Sequence, residues 1–195
     1  MLLLLPTPPF FDWHMPAYHS KFAGGVSLVG NIAILPIKTA CKGPAPKMDK
    51  SADEDIIDEA LTLFKPNVFF RNFEIKGPAD RTLIYLFLYI TECLKKLQKS
   101  PKKLQAGKDL LTLALDSHRT FPIPGEASFP FPGLFKPPAN AQEEETMRAY
   151  LQQLRQELGV RLLERVFPDP ETPPSKWWLC FAKRRFMDKQ LTQNM

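Results

Sequence analysis

The chain has 195 residues, of which 44% are hydrophobic and 24% charged, a composition typical of one globular domain or two small ones. Its net charge of +5 is compatible with an acidic protein surface, a membrane or nucleic acid, and does not choose among them. The three widely spaced cysteines argue against a disulfide framework and against a zinc module, and they favour a reducing compartment. We therefore expect a cytoplasmic protein.

The first 14 residues, MLLLLPTPPFFDWH, differ in composition from the remainder of the chain. We interpret residues 1–14 as an unstructured extension; a short hydrophobic anchor is the alternative. The apolar run Leu2–Leu5 is shorter than the core of a signal peptide, which needs about 7–15 residues, and no basic residue precedes it. No stretch approaches the roughly 20 apolar residues of a membrane-spanning helix, so we expect no membrane insertion.

Two elements are predicted in the first third of the chain. Segment 26–37, VSLVGNIAILPI, is apolar and β-branched enough for a short extended strand, with Gly30-Asn31 as a turn or bulge. Capping and acidic residues at 51–55 then predict the start of a helix, because such residues favour a helix N-terminus. Pro66 should end or kink this helix, since proline lacks a backbone N–H.

The clearest element is a helix over about 78–99. Pro78 suits its first turn, and Leu83–Ile90 (LIYLFLYI) is a run of eight apolar or aromatic residues. A helix that is apolar all round is a buried helix. The sequence therefore predicts a mainly α fold, a single-domain helical bundle over 15–195 in which other helices surround this central one.

Three further segments lie between the central helix and the C-terminal region. Leucine spacing predicts a shorter helix over 108–118, and Asn140 caps a long helix that the prolines of 168–174 end. Between them, the loop 121–138 is rich in proline and phenylalanine. Its proline spacing resembles a ligand of SH3-type domains, but we favour packing against its own domain through five large apolar side chains: Phe121, Ile123, Phe129, Phe131 and Phe135.

The last predicted helix starts after Ser175 and contains two adjacent tryptophans and a basic cluster. Aromatic residues and arginine are enriched where one protein buries its surface against another. The predicted partner-contact residues are accordingly Trp177, Trp178, Lys183, Arg184 and Arg185. The tryptophans also have a second interpretation as part of the protein's own core, whereas the three basic residues are expected to be exposed.

No catalytic, cofactor-binding or metal-binding residue is predicted. The three histidines, His14, His19 and His118, have no carboxylate or cysteine at ligand spacing, and the glycines form no phosphate-binding loop. We therefore expect a protein without enzymatic activity. One alternative function is a basic nucleic-acid-associated module, since the six lysines of 95–108 and the C-terminal basic cluster could neutralise phosphates.

Several long segments resemble one protein family, subunit 3 of the actin-related protein 2/3 complex. The matching segments, in order, are MPAYHS at 15–20, LVGNIAILPI at 28–37, KGPAP at 42–46, NVFFRNFEIK at 67–76, ADRTLIYLFLYITECLKKLQK at 79–99, FPIPGE at 121–126, MRAYLQQLRQE at 147–157 and PSKWWLCFAKRRFM at 174–187. The resemblance covers nearly everything from residue 15 to the C-terminal end. It leaves residues 1–14 as an addition to the family pattern.

This resemblance implies a non-catalytic subunit of the assembly that nucleates branched actin filaments. Its expected partners are the actin-related subunits, the other subunits of the complex and the actin filament, without nucleic acid. No cofactor is expected, because nucleotide binding in such an assembly belongs to the actin-related subunits. The implied location is the cytoplasm, at the actin cytoskeleton and in cell projections such as lamellipodia.

Overall fold

The computed structural model describes residues 17–22, 27–49, 51, 54–116 and 121–192; the predicted extension 1–14 lies outside them. This described part is mainly helical, as predicted, and no helix in it is long and apolar enough to cross a bilayer. Its elements are, in order, β1 (Ser27–Val29), β2 (Ile32–Ile34), α1 (Ile56–Asn67), α2 (Pro78–Leu97), α3 (Lys103–Leu115), α4 (Ala141–Val166), α5 (Lys176–Leu179) and a 3-10 turn, Phe186–Asp188.

Helix α2 is the buried helix that the sequence predicts. Pro78 occupies its first turn, and every residue of Leu83–Ile90 is at most 1% exposed. Helices α1, α3, α4 and α5 and strand β2 all contact it. Two of its polar side chains are satisfied internally: Thr82 donates to the Ala33 carbonyl at 2.9 Å, and Arg155 of α4 donates to the Tyr85 hydroxyl at 2.7 Å. The helix therefore presents apolar surface on all sides without leaving these polar groups unpaired.

The N-terminus of α1 depends on a fully buried carboxylate, Asp55. Its side chain caps the helix by accepting from the backbone of Ile57 and Asp58, and it also accepts from Lys38 N at 2.8 Å. Arg161 of α4 donates to both carboxylate oxygens, at 2.7 and 2.8 Å. Burial alone would lower the pKa of Arg161, but its contacts with Asp55, Glu157 and Asp58 raise that pKa. One acidic side chain thus joins α1, α4 and the segment after β2.

Helix α1 continues one residue beyond the expected break. Pro66 lies inside it, and the helix ends at Asn67. The Asn67 side chain then exchanges two hydrogen bonds with the backbone of Tyr18, at 2.8 and 3.0 Å. Ser20 continues this attachment, because its backbone donates to buried Asp80 and its hydroxyl to buried Glu59. The first described segment therefore lies across α1 and α2 through specific polar contacts.

The predicted extended segment forms a hairpin rather than one strand. Strands β1 and β2 pair antiparallel around Gly30-Asn31, so the turn interpretation is confirmed. Gly30 adopts a φ of +59°, and a side-chain carbon there would lie 2.5 Å from the Lys136 carbonyl oxygen. Asn31 accepts from Lys136 N and donates to Leu134 O, at 2.8 and 3.2 Å. The turn is thereby attached to the end of the proline-rich loop.

That proline-rich loop packs against its own protein, as the favoured interpretation predicts. The side chains concerned, each at most 5% exposed, are Phe121, Ile123, Phe129, Phe131 and Phe135. Asn140 then caps α4, accepting from Glu143 N at 2.9 Å. The apolar stripe of α4 is completely buried: Met147, Leu151, Leu154, Leu158 and Leu162. Helix α3 differs from the prediction at its start, which lies at Lys103 instead of residue 108.

Loss of the Asp55 charge should destabilise the fold strongly. Asp55→Asn keeps a side-chain oxygen for the cap but leaves Arg161 with a weakened partner in a buried position. We expect the free energy of unfolding in urea to fall by about 2–3 kcal/mol. Glu144→Gln, which weakens the half-exposed pair with Arg148, should cost less than about 0.5 kcal/mol. Equal losses in the two variants would contradict the role given to Asp55.

Stability should also decline at alkaline pH. Burial raises the pKa of Tyr85, Tyr89 and Tyr150 above the usual value of about 10. A tyrosine whose pKa is higher in the folded than in the unfolded state stabilises the fold fully below pH 10. As the pH rises above 10, the free energy of unfolding falls by up to about 1.4 kcal/mol per pH unit for each such tyrosine. Tyr89→Phe removes one of these groups. Its free energy of unfolding should therefore fall less between pH 10 and 11 than that of the wild type; an identical slope would refute the assignment.

Candidate partner-binding surface

The C-terminal region begins where the prolines of 168–174 end α4. Ser175 donates from its backbone to Val166 O at 2.8 Å, and its carbonyl accepts from Trp178 N and Leu179 N. These bonds start α5, which contains only the four residues Lys176–Leu179 and has no side-chain cap. The prediction of one helix carrying both tryptophans and the basic cluster is therefore wrong, because the basic residues lie beyond its end.

Contacts with α2 and with the segment between α1 and α2 determine the path that the chain takes after α5. Phe186 is fully buried, with its ring centroid 5.3 Å from that of Phe87 and 5.5 Å from that of Phe73. Met187 donates from its backbone to Phe70 O at 3.0 Å, and it adopts a left-handed φ of 52°. A continuous helix would contain no left-handed residue. Tertiary contacts thus replace the helical path that the local spacing suggested.

The two adjacent tryptophans have opposite environments. Trp178 is 8% exposed; its ring lies parallel to Phe64 at a centroid distance of 6.4 Å, and Lys65 Nζ lies 4.1 Å from its ring centroid. Trp177 is 80% exposed. Trp178 therefore belongs to the protein's own core, as the second interpretation proposed for the pair, whereas Trp177 presents a large aromatic ring to solvent.

All three predicted basic residues, Lys183, Arg184 and Arg185, are exposed. None forms an ion pair with a residue that the structure describes. The Arg184 guanidinium lies 5.1 Å from the ring centroid of Phe69, a distance at which cation–π attraction operates. Phe69, itself 56% exposed, adds a second solvent-facing ring beside the cluster.

We use the name aromatic–basic surface for Phe69, Trp177, Lys183, Arg184 and Arg185. Phe69 lies between α1 and α2, and more than 100 residues separate it from Trp177. No spacing rule in the sequence relates the two. The ring of Phe181 lies 5.9 Å from those of both Phe69 and Phe64, so it joins the exposed surface to the core.

The chemistry of this surface is suited to binding. Exposed aromatic rings supply apolar area at a low entropic cost, and unpaired arginine and lysine complement acidic groups. Across the described ranges, no group of three or more His, Cys, Asp or Glu residues could hold a metal ion. His19 lies 2.9 Å from Asp80, in the attachment of the first described segment, while His14 and His118 lie outside the described residues.

The two tryptophans should differ in their effect on stability. Trp178→Ala removes a buried ring from Phe64 and should lower the free energy of unfolding by about 3 kcal/mol. Trp177→Ala removes a solvent-exposed ring and should change it by less than about 0.5 kcal/mol. Chemical denaturation of both variants measures the difference. A large loss in the Trp177 variant would show that this ring packs within the protein.

Comparison with known proteins identifies the family. The family model described as P21-Arc, the ARP2/3 complex ARPC3 (21 kDa) subunit, matches residues 15–191. The chain is 61% identical over 181 residues to the probable actin-related protein 2/3 complex subunit 3 of Caenorhabditis elegans, covering 91% of this chain and 96% of that relative. It is 53% identical over 179 residues to actin-related protein 2/3 complex subunit 3 of Schizosaccharomyces pombe, covering 91% and 100%. The chain therefore belongs to the family of subunit 3 of the actin-related protein 2/3 complex.

Proposed function

We propose that this chain is a non-catalytic structural and regulatory subunit of the actin-related protein 2/3 complex that contributes to the nucleation of branched actin filaments. The observation that carries the proposal is the family match over residues 15–191. Relatives from distant organisms have nearly their whole length covered and are all named as subunit 3 of that complex. Its partners are accordingly the actin-related subunits, the other subunits of the complex and the actin filament.

The aromatic–basic surface is the part of the chain that we assign to contact with a partner subunit. Trp177 supplies the apolar anchor, because an exposed tryptophan gains most from burial in a partner's pocket. Lys183, Arg184 and Arg185 follow this anchor by six to eight residues and provide positive charge that complements an acidic surface. Trp178 was also predicted as a contact residue, but it is buried and instead attaches α5 to α1 by packing on Phe64.

We expect this chain to be located at the actin cytoskeleton and, more specifically, in cell projections such as lamellipodia. We also propose that residues 15–195 form one helical domain of this family type and that residues 1–14 are an extension to it. The mechanism is binding rather than catalysis, so the chain works by positioning other subunits.

The nucleic-acid alternative has no support in the family match. Two of the six lysines on which it was based are also engaged inside the protein: Lys95 Nζ lies 2.9 Å from Glu92 and Lys103 Nζ lies 2.8 Å from Glu164. These pairs reduce the positive charge available to phosphates.

Affinity purification of the tagged full chain from cells tests the proposal. The actin-related subunits and their companions should be recovered with the wild-type chain. Trp177→Ala should lower that recovery at least tenfold, because loss of an interface anchor costs about 2 kcal/mol or more. Tyr18→Ala is the matched control, since Tyr18 is also an exposed aromatic residue but lies outside the aromatic–basic surface.

The possible outcomes separate the two parts of the proposal. Recovery of the wild-type chain without actin-related subunits would contradict its assignment to the complex. Normal recovery of the Trp177 variant would leave the assignment intact but refute the role of this surface.

A further inference from the structure

A second exposed apolar surface lies on α3, apart from the aromatic–basic surface. Leu104 is 77% exposed, Leu111 is 53% exposed and Leu115 is also exposed. Their spacing of seven and four residues puts them on one side of a helix. A different side of α3 is already occupied, because Ala106, Leu110 and Ala114 are buried. Helix α3 therefore has apolar residues on two sides, and the structure covers only one of them.

Helix α4 extends this uncovered side. The two helices run antiparallel, since a side-chain carbon on Gly107 would meet Leu163, and one on Gly159 would meet Leu110. In this register Val160, which is 59% exposed, lies on the same side of the helix pair as Leu111. The two glycines lie where α3 and α4 meet, so the helices can pack closely there. We use the name leucine face for Leu104, Leu111, Leu115 and Val160.

A cleft at the start of α3 continues the leucine face. Its volume is about 470 Å³, and its lining includes Leu104, Pro101 and Pro170 together with the charged residues Lys102 and Glu171. Shallow apolar grooves between helices are the surfaces on which amphipathic helices bind. An apolar side chain from such a helix can enter the cleft while the rest of the helix lies along α3.

The unpaired charge beside the leucine face is predominantly positive. Lys102 lines the cleft, and Lys108 lies between Leu104 and Leu111 in the sequence of α3; both are exposed, and neither forms an ion pair with a described residue. Two of the acidic groups nearby are engaged, since Glu164 pairs with Lys103 and Asp109 accepts from Ser100 and Gln105. Glu171, which also lines the cleft, is exposed, so the two lysines outnumber it. A partner that covers the leucine face should therefore provide acidic residues opposite the two lysines.

We propose that the leucine face of α3 and α4 binds an amphipathic helix of another protein, with apolar residues along one side and acidic residues at its edges. A second copy of this chain suits the face less well, because it would bring the unpaired lysines of two copies together. An anionic membrane also suits it less well. Such membranes attract clusters of about 4–8 basic residues, whereas we place two unpaired lysines, Lys102 and Lys108, beside the face. The inference is independent of the aromatic–basic surface and adds a second binding surface.

Fluorescence anisotropy with two synthetic probes tests the proposal on the full chain. The first probe is a labelled 18-residue helix with leucines on one side and glutamates at both edges; in the second probe, lysines replace all the glutamates. The acidic probe should bind at least tenfold more tightly than the basic probe. Leu111→Glu should weaken binding of the acidic probe at least tenfold, and Lys108→Glu, which leaves Lys102 in place, should largely abolish the preference between the probes.

Two controls separate this surface from others. Leu28→Glu makes the same change at a similarly exposed leucine on β1 and should leave probe binding unchanged. Trp177→Ala should leave it unchanged as well, while Leu111→Glu should not alter recovery of the actin-related subunits. The proposal is overturned if the acidic probe fails to bind or if both leucine variants bind it equally. Self-association in sedimentation, or binding to anionic vesicles but to neither probe, would also overturn it.

Discussion

The need to keep Leu83–Ile90 out of water governs this structure. Eight consecutive apolar or aromatic residues on a helix leave no side that can face solvent, so other elements must cover it completely. Helices α1, α3, α4 and α5 and strand β2 do so. Two of the polar groups that become buried in the process, those of Thr82 and Tyr85, find partners in β2 and α4. The arrangement of the surrounding elements therefore follows from the surface of one helix.

Buried acidic side chains make this arrangement specific. Apolar contact alone would tolerate small rotations of α1 and α4, whereas the double contact between Asp55 and Arg161 requires one orientation. Glu59 and Asp80 similarly fix the first described segment across α1 and α2. A consequence for function is that the end of α1, which leads into Phe69, has a defined position. The C-terminal region then packs on that end through Phe64 and Phe181.

The sequence predicts best where local signals and tertiary packing agree. For α2 and α4, caps and apolar spacing both favour the observed helix, and the prediction is confirmed. The start of α3 was missed because Leu104 is exposed and therefore interrupts the buried spacing. After α5 the local spacing favoured more helix, but the contacts of Phe186 and Met187 with distant residues determine the path. Within the aromatic–basic surface, the basic cluster is exposed as expected, and Trp177 is exposed as a partner-contact residue should be. Phe69 could not be predicted as part of this surface, because only folding brings it beside Arg184.

The composite origin of the aromatic–basic surface has a consequence for its use as a reagent. A synthetic peptide copying 174–191 contains both tryptophans and all three basic residues, yet it lacks Phe69 and the core on which Trp178 packs. Such a peptide also lacks Phe87 and the Phe70 carbonyl, whose contacts with Phe186 and Met187 stabilise the left-handed turn at Met187, so we do not expect it to form that turn. It would therefore be a poor competitor for the intact protein, and a dominant-negative fragment would have to include α1 and α2.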